Sequence, residues 1–453
     1  MASTYLSRTV GSGGSTTTGT ISFWLKRGDT GATQHFYVNK NTSSNASFGF
    51  LFSSDTIYIN QYDGTSPFNP ANYQINLQTP SVFRDYNAWY HIVLIIDTSN
   101  GTEANRIRLY VNNVQQTLNK VGNQPTVTQN LNVPFLYNGG VSKIGSDYNG
   151  GTNFGGILTH YHLIDGTTYD ASAFGETDAT TGIWKPKTAP SVTYGTNGFF
   201  LKFANSGSMG TDSSGNGNNF TVNGNLTQTV DTPSNVFATL NPLWRSVYNP
   251  VFSNGNLTVA TPAVSQYHNS ISSLGVSSGK WYLEMKCNGT PNSANYFGIG
   301  NEDEIDNFSK VESVIGATTQ GFSVRMLSGD KRTNGTNSSY GSAFTNGDIM
   351  MYAMDLDNGK VWFGKNGTWF ASGDPAAGTN QAFSGLSGTF FIGGTVYNNG
   401  FSSVDFNFGN GYFGTTAVSS AQSPSDGIGI FEYAVPSGYK ALCTKSINAQ
   451  EYS

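Results

Sequence analysis

The chain has 453 residues, too many for one hydrophobic core and a fit for two or three domains. Charged residues make up 11% against about 25% in an average soluble protein, while aromatics reach 13% and glycine supplies 55 positions. That composition excludes coiled coils and long charged helices, and its aromatic content argues against disorder. It fits many short strands joined by tight turns, an all-β protein. The net charge of −5, with no run of Lys or Arg, excludes a nucleic-acid binder, whose affinity comes from a basic surface displacing counterions. Cys287 and Cys443 have neither disulfide-framework nor zinc-ligand spacing. The N-terminal MASTYLSRTV lacks the apolar core of a secretion signal, and the longest aliphatic stretch, Ile92 to Ile96, is far below the roughly 20 residues of a membrane span. Synthesis in a cytosol and no membrane insertion are expected.

In chain order, Ile21, Phe23 and Leu25 alternate as in a strand with one buried face. Residues 89–96 (WYHIVLII) are continuously apolar, as in a central strand covered on both sides. Ile107, Leu109 and Val111 alternate with Arg106, Arg108 and Tyr110 before Asn112-Asn113, residues that tolerate positive φ in a turn. A stretch from 206 to 241, including SGSMGTDSSGNGNN, is expected to be a polar connector. Beyond it Trp281, Leu283, Met285 and Cys287 alternate with Tyr282, Glu284 and Lys286, predicting a half-buried strand. Asn358-Gly359 and Asn366-Gly367 predict hairpin turns linking strands at 351–356, 360–364 and 368–370. Residues 435–453 contain too little apolar material for a domain and are expected to form a docking tail whose removal, 436–453, leaves the sandwiches folded.

Two resemblances follow from these segments. SFWLKRGDTG at 22–31, VFRDYNAWYHIVLIIDT at 82–98, NRIRLYVN at 105–112, HLIDG at 162–166 and FGETDATTGIWKPK at 174–187 resemble the concanavalin-like/laminin-G superfamily, in the form found in tail proteins of marine phages. SSGKWYLEM at 277–285, YFGIG at 296–300, DLDNGKVWFGKNGTW at 355–369 and FNFGNGYF at 406–413 resemble the SPRY domain. GYKALCTK at 438–445 recurs in the same phage proteins, which carry the two domains in this order. The resemblance implies a lectin-like sandwich over 1–205, the connector over 206–241, a SPRY-like sandwich over 242–415 and a tail over 416–453. It implies a non-enzymatic virion protein, a tail fibre or adhesin contacting host surface glycan or receptor and other virion proteins. A homo-oligomer, as a trimer, follows from the same class. A capsid or neck decoration protein and a polysaccharide depolymerase are the alternatives.

Candidate chemistry is sparse. Glu304-Ile305-Asp306 resembles a glucanase signature, but the next Glu, Glu312, is six residues beyond Asp306, whereas a retaining pair holds its carboxyls about 5–5.5 Å apart. A solvated acidic loop is the expectation there, and no catalytic residue is assigned. His160 and His162 share a strand face if the strand is regular, and two imidazoles without a third ligand predict polar residues on a solvated sheet rather than a metal centre. No organic cofactor is expected; calcium is left open, with Asp147, Asn149 and Asp165 as loop oxygen donors. The binding residues expected are Tyr73, Tyr148 with Asn149, and Tyr397 with Asn398, aromatics beside amides in turn-rich stretches. Sugar C–H faces pack on such rings while amides bond hydroxyls. Trp24, Trp89, Trp281 and Trp362 lie in strand patterns and are expected to be buried.

Overall fold

The computed structural model describes residues 4–41, 43–64, 73–122, 126–244, 246–262, 266–310, 313–397 and 401–451. The chain divides into two compact units, residues 1–228 with 232–234, and residues 229–231 with 235–453. Each is built almost wholly from antiparallel strands. No described helix is long and apolar enough to cross a membrane.

The strands of the first unit are β1 (Tyr5–Thr9), β2 (Thr18–Arg27), β3 (Gln34–Lys40), β4 (Ser47–Ser53), β5 (Thr56–Tyr62), β6 (Tyr73–Val82), β7 (Trp89–Asp97) and β8 (Ile107–Val111). There follow β9 (Val114–Gln116), β10 (Asn119–Lys120), β11 (Val141–Ile144), β12 (Gly156–Asp165), β13 (Gly175–Thr177), β14 (Trp184–Pro186), β15 (Phe199–Leu201) and β16 (Thr221–Asn223). An eight-stranded sheet runs β10-β6-β5-β4-β3-β11-β1-β16 and a six-stranded sheet β15-β12-β2-β7-β8-β9. One face of each closes on a shared core that includes Phe23, Phe36, Phe50, Ile92, Leu94 and Tyr161. The Phe23 and Tyr161 rings stack at 4.7 Å. As the continuous apolar run predicts, β7 is buried on both faces, with Val93 and Ile95 against Ala171 outside the main core. The turn at Asn112-Asn113 has φ of 49° and 67°, the geometry for which asparagine is tolerated.

The second unit contains β17 (Val251–Ser253), β18 (Thr258–Ala260), β19 (Tyr267–Ile271), β20 (Lys280–Gly289), β21 (Tyr296–Gly300), α1 (Glu302–Lys310), β22 (Gly321–Arg325), β23 (Lys331–Thr333) and β24 (Thr336–Ser338). It continues with β25 (Ile349–Asp355), β26 (Lys360–Lys365), β27 (Thr368–Trp369), β28 (Phe383–Ser384), β29 (Phe391–Tyr397), β30 (Phe401–Asn407), β31 (Tyr412–Phe413), β32 (Thr416–Ala417), β33 (Lys440–Ala441) and α2 (Thr444–Glu451). Its sheets run β17-β18-β30-β20-β25-β26-β27 and β19-β29-β21-β22-β23-β24, closing on Leu283, Met285, Phe297, Tyr352, Phe363 and Phe406. Asn366-Gly367 forms the two-residue turn, φ 49° and 83°. The turn at Asn358-Gly359 is longer than predicted. Asp355 pairs with Lys360 across four residues, and the Asp355 carboxylate accepts the Asn358 amide.

Three expectations about organisation are corrected. The polar stretch at 206–241 is not a free connector. Met209 and Phe220 are buried in the first unit, β16 pairs with β1, and the Asp212 carboxylate accepts the backbone N–H groups of Phe200, Ser214 and Asn218. Phe237, Ala238 and Leu240 are buried in the second unit. Nor is the C-terminal segment a loose tail, since Phe431, Tyr439, Ala441 and Cys443 bury against Tyr282, Met351 and Trp362. β20 is therefore buried on both faces rather than one.

The two motifs that could carry chemistry are corrected as well. The NEDEIDN segment is not a solvated loop but contributes helix α1, whose Glu304 is fully buried and accepts N–H bonds from Gly316, Ala317 and Thr318 at 2.6, 3.0 and 2.8 Å. Asp306 points outward to Lys310 one turn on. His160 sits in a bulge of β12 with φ of 46°, which breaks the regular alternation. His162 is buried rather than solvated, stacked 3.9 Å from Phe200 and bonded through Nδ1 to the Tyr194 hydroxyl at 2.9 Å. Burial holds the His162 imidazole well below its ordinary pKa.

Candidate functional site

The outer face of the eight-stranded sheet in the first unit carries a cleft of about 430 Å³. Strand alternation decides which side chains reach it. Lys40 on β3, Ser47 on β4, Tyr62 on β5 and Tyr73 on β6 are register partners in one row across four strands. The next row on that face is Lys143, Val38, Gly49, Asn60 and Asn76. Gly49 makes room for the floor. A Cβ there would lie 2.6 Å from Asn60 Oδ1, so the missing side chain lets the Asn60 amide lie across the strand.

Two aromatic walls stand on this floor. At one end the rings of Tyr62 and Tyr73 lie 5.9 Å apart at 56°, the tilted arrangement that ring quadrupoles favour. The other wall is Tyr148, in the loop after β11. That loop is a tight turn in which Asp147 Oδ1 accepts the Gly151 N–H at 2.7 Å and the Asp147 carbonyl accepts the Gly150 N–H at 3.2 Å. Gly150, at φ 84°, supplies the left-handed residue the turn requires. Tyr148 is held in place by two lysines. Lys40 Nζ lies 3.6 Å from its ring centroid, and Lys143 Nζ donates to its carbonyl at 2.6 Å. His35, bonded to the Thr152 hydroxyl, lines the same cleft, and burial depresses its pKa.

Three of the five expected binding residues, Tyr73, Tyr148 and Asn149, therefore meet in one cleft. Tyr397 does not join them. It lies on β29 of the second unit with its ring 5.1 Å from Tyr267, and Asn398 lies outside the described residues. Asn60, Tyr62, Gly49 and Lys40 were missed by sequence reasoning. The alternation in TIYINQY places Asn60 and Tyr62 on one face, a usable signal, but only the register shows that this face meets Tyr73. Of the oxygen donors considered for calcium, Asp147 and Asn149 line the cleft. Asp165 spends its two carboxylate oxygens on the backbone N–H groups of Ser15 and Asn197, at 2.6 and 2.9 Å. Among the described residues no three His, Cys, Asp or Glu side chains converge as a metal-binding group.

The sequence profile of the concanavalin A-like lectin/glucanases superfamily matches residues 2–172, and this part of the first unit is a concanavalin A-like domain. No curated protein matches the chain. Solved structures similar to it include the SPRY domain of human HERC1, 18% identical with a TM-score of 0.29, covering 37% of this chain and 96% of that one. The heptameric SAP-like pentraxin from Limulus polyphemus is 16% identical with a TM-score of 0.27, covering 37% and 73%. A human SPRY domain is 12% identical with a TM-score of 0.27, covering 35% and 94%.

Proposed function

We propose that the chain is a non-catalytic attachment protein whose first unit binds a sugar of a surface glycan in the Tyr62–Tyr73–Tyr148 cleft. The observation that carries this reading is the lining itself. Aromatic rings stand at two ends of a floor of amides and hydroxyls, from Asn45, Ser47, Asn60 and Asn149, on a concanavalin A-like sheet. Rings offer flat apolar area to sugar C–H faces, and neutral amides bond hydroxyls in both directions. Binding rather than hydrolysis fits the charges present, because Asp147 is the one carboxylate among the described lining residues while glycoside hydrolysis uses two carboxyl groups. The resemblance of the domain order to phage tail proteins extends the proposal to its setting, a virion-surface or tail adhesin present in several copies. Weak single-site contacts gain avidity there when several engage together.

The reading is tested by titrating the whole chain against a glycan array and then measuring the best hit by calorimetry. Tyr73→Ala is expected to weaken binding by about tenfold or more, since stacking one aromatic ring contributes on the order of 1 kcal/mol or more beyond its buried area. Tyr397→Ala, in the other unit, is expected to leave it unchanged. Equal loss in both variants, or none in Tyr73→Ala, overturns the cleft as the site.

A further inference from the structure

The charge placed at the Tyr148 end of the cleft points to a narrower ligand class. Lys40 and Lys143 bring their ammonium groups to 3.6 and 5.8 Å from the centroid of one ring. Among the described residues neither Lys40 nor Lys143 has a carboxylate partner within 4 Å, and Lys40 is the one of the two that lines the cleft. A cation–π contact fixes an ammonium in position without neutralising it and leaves its N–H groups able to donate. The cleft's own carboxylate, Asp147, accepts the Gly151 N–H through Oδ1 and forms no ion pair with Lys40. The cleft thus presents a half-buried, pre-positioned ammonium at Lys40, with the Asp147 carboxylate in the same lining but not ion-paired to it.

We propose that the cleft selects an anionic saccharide residue, a pyranose bearing a carboxylate or a sulfate ester, with the anionic group against Lys40 and the ring against Tyr73, which the buried Tyr62 supports from beneath. This rests on the saccharide reading above and narrows it. A charged N–H···O bond is roughly twice as strong as a neutral one, and the aromatic contacts at the far end fix the distance at which the anionic substituent must project.

The test is calorimetry of the whole chain with four probes: tetragalacturonic acid and its methyl ester, and a sulfated galacto-oligosaccharide and its desulfated form. Each acid is compared with its neutral counterpart on the same sugar rings, and the pair that shows the preference tells carboxylate from sulfate. At low salt at least one acid is expected to bind about tenfold tighter than its neutral counterpart, with the margin shrinking as salt is raised. Lys40→Met is expected to abolish the margin, and Lys40→Arg to retain most of it. Lys202→Met, which removes an exposed lysine beside the six-stranded sheet, is expected to leave the margin intact and so checks that bulk charge is not responsible. Thermal melting of each variant confirms folding. Equal affinity for acid and neutral forms, or a margin that survives Lys40→Met, overturns the anionic preference while leaving Tyr73-dependent sugar binding in place. Absence of binding to all four probes overturns the preference as well, and the Tyr73→Ala comparison on the glycan array then decides separately whether the cleft binds sugar.

Discussion

Glu284 shows how one side chain ties distant sequence together. It lies on central strand β20, fully buried, and its carboxylate accepts the backbone N–H groups of Glu432 and Tyr433, both at 2.8 Å, and the Tyr282 hydroxyl at 2.9 Å. Burial dominates over these bonds and pushes its pKa up to about 7 from an ordinary 4.5. The folded state therefore holds this proton more tightly than the unfolded chain does. Its contribution is fully present below about pH 4.5 and is lost as pH rises through about 7, by on the order of 3 kcal/mol. Urea unfolding of the second unit across that window is expected to show this decline in the wild type and its absence in Glu284→Gln, whose amide does not titrate. The variant should also start lower at pH 4.5, by about 1–3 kcal/mol, because its NH₂ faces a backbone donor where an oxygen had accepted. A wild type and variant with parallel pH profiles would refute the assignment.

Elements differ in how much of their placement is written locally. The two-sided burial of β7 is legible in the unbroken apolar run at 89–96, and the Asn366-Gly367 turn in its dipeptide, since both are properties of neighbours in sequence. β20 is not legible in this way. Tyr282 and Glu284 alternate with Trp281, Leu283 and Met285 as a solvent face would, and the cover over them comes from residues 431–443, some 150 positions later. The cleft divides likewise. Tyr73 and Tyr148 were identifiable from their Asn-rich surroundings, while Asn60 and Gly49 acquire meaning only through the β4–β5 register. Regular alternation puts His160 and His162 on one face, but a bulge, which one sequence does not announce, shifts the alternation in β12. The cover on β20 also makes a prediction opposite to that for a loose tail. Deleting residues 436–453 removes Tyr439, Leu442 and Cys443 from the interior, and burying each large apolar side chain contributes about 1.5–3 kcal/mol. Against a domain stability of about 5–15 kcal/mol, the truncated second unit is expected to lose most of its cooperative unfolding transition, checked by circular dichroism during urea titration. A truncated protein melting like the intact one would show that the segment only lies against a self-sufficient sandwich.

At the scale of the whole molecule, the chain closes two separate cores and crosses from one to the other within residues 229–234. The polar stretch before the crossing belongs to the first unit through β16 and Phe220, and the residues after it belong to the second through Phe237 and Leu240. Each unit exceeds 200 residues, enough to bury most of the surface that its unfolded chain exposes without help from a partner. A cut must respect those anchors rather than the apparent low-complexity boundary. Residues 1–228 and 235–453, expressed separately, are expected to unfold each in a single cooperative transition, measured by calorimetry and urea titration. A first fragment ending at residue 205 lacks β16, Phe220 and the Asp212 carboxylate that accepts the Phe200 N–H, and it leaves the outer edge of β1 unpaired. It is expected to be less stable than the 1–228 fragment by several kcal/mol, since a buried phenylalanine alone contributes about 1.5–3 kcal/mol, and to aggregate through the opened strand edge. If the 1–205 fragment proved as stable and as soluble as 1–228, the stretch from 206 to 228 would be a decoration on the first core and the boundary drawn from composition alone would stand.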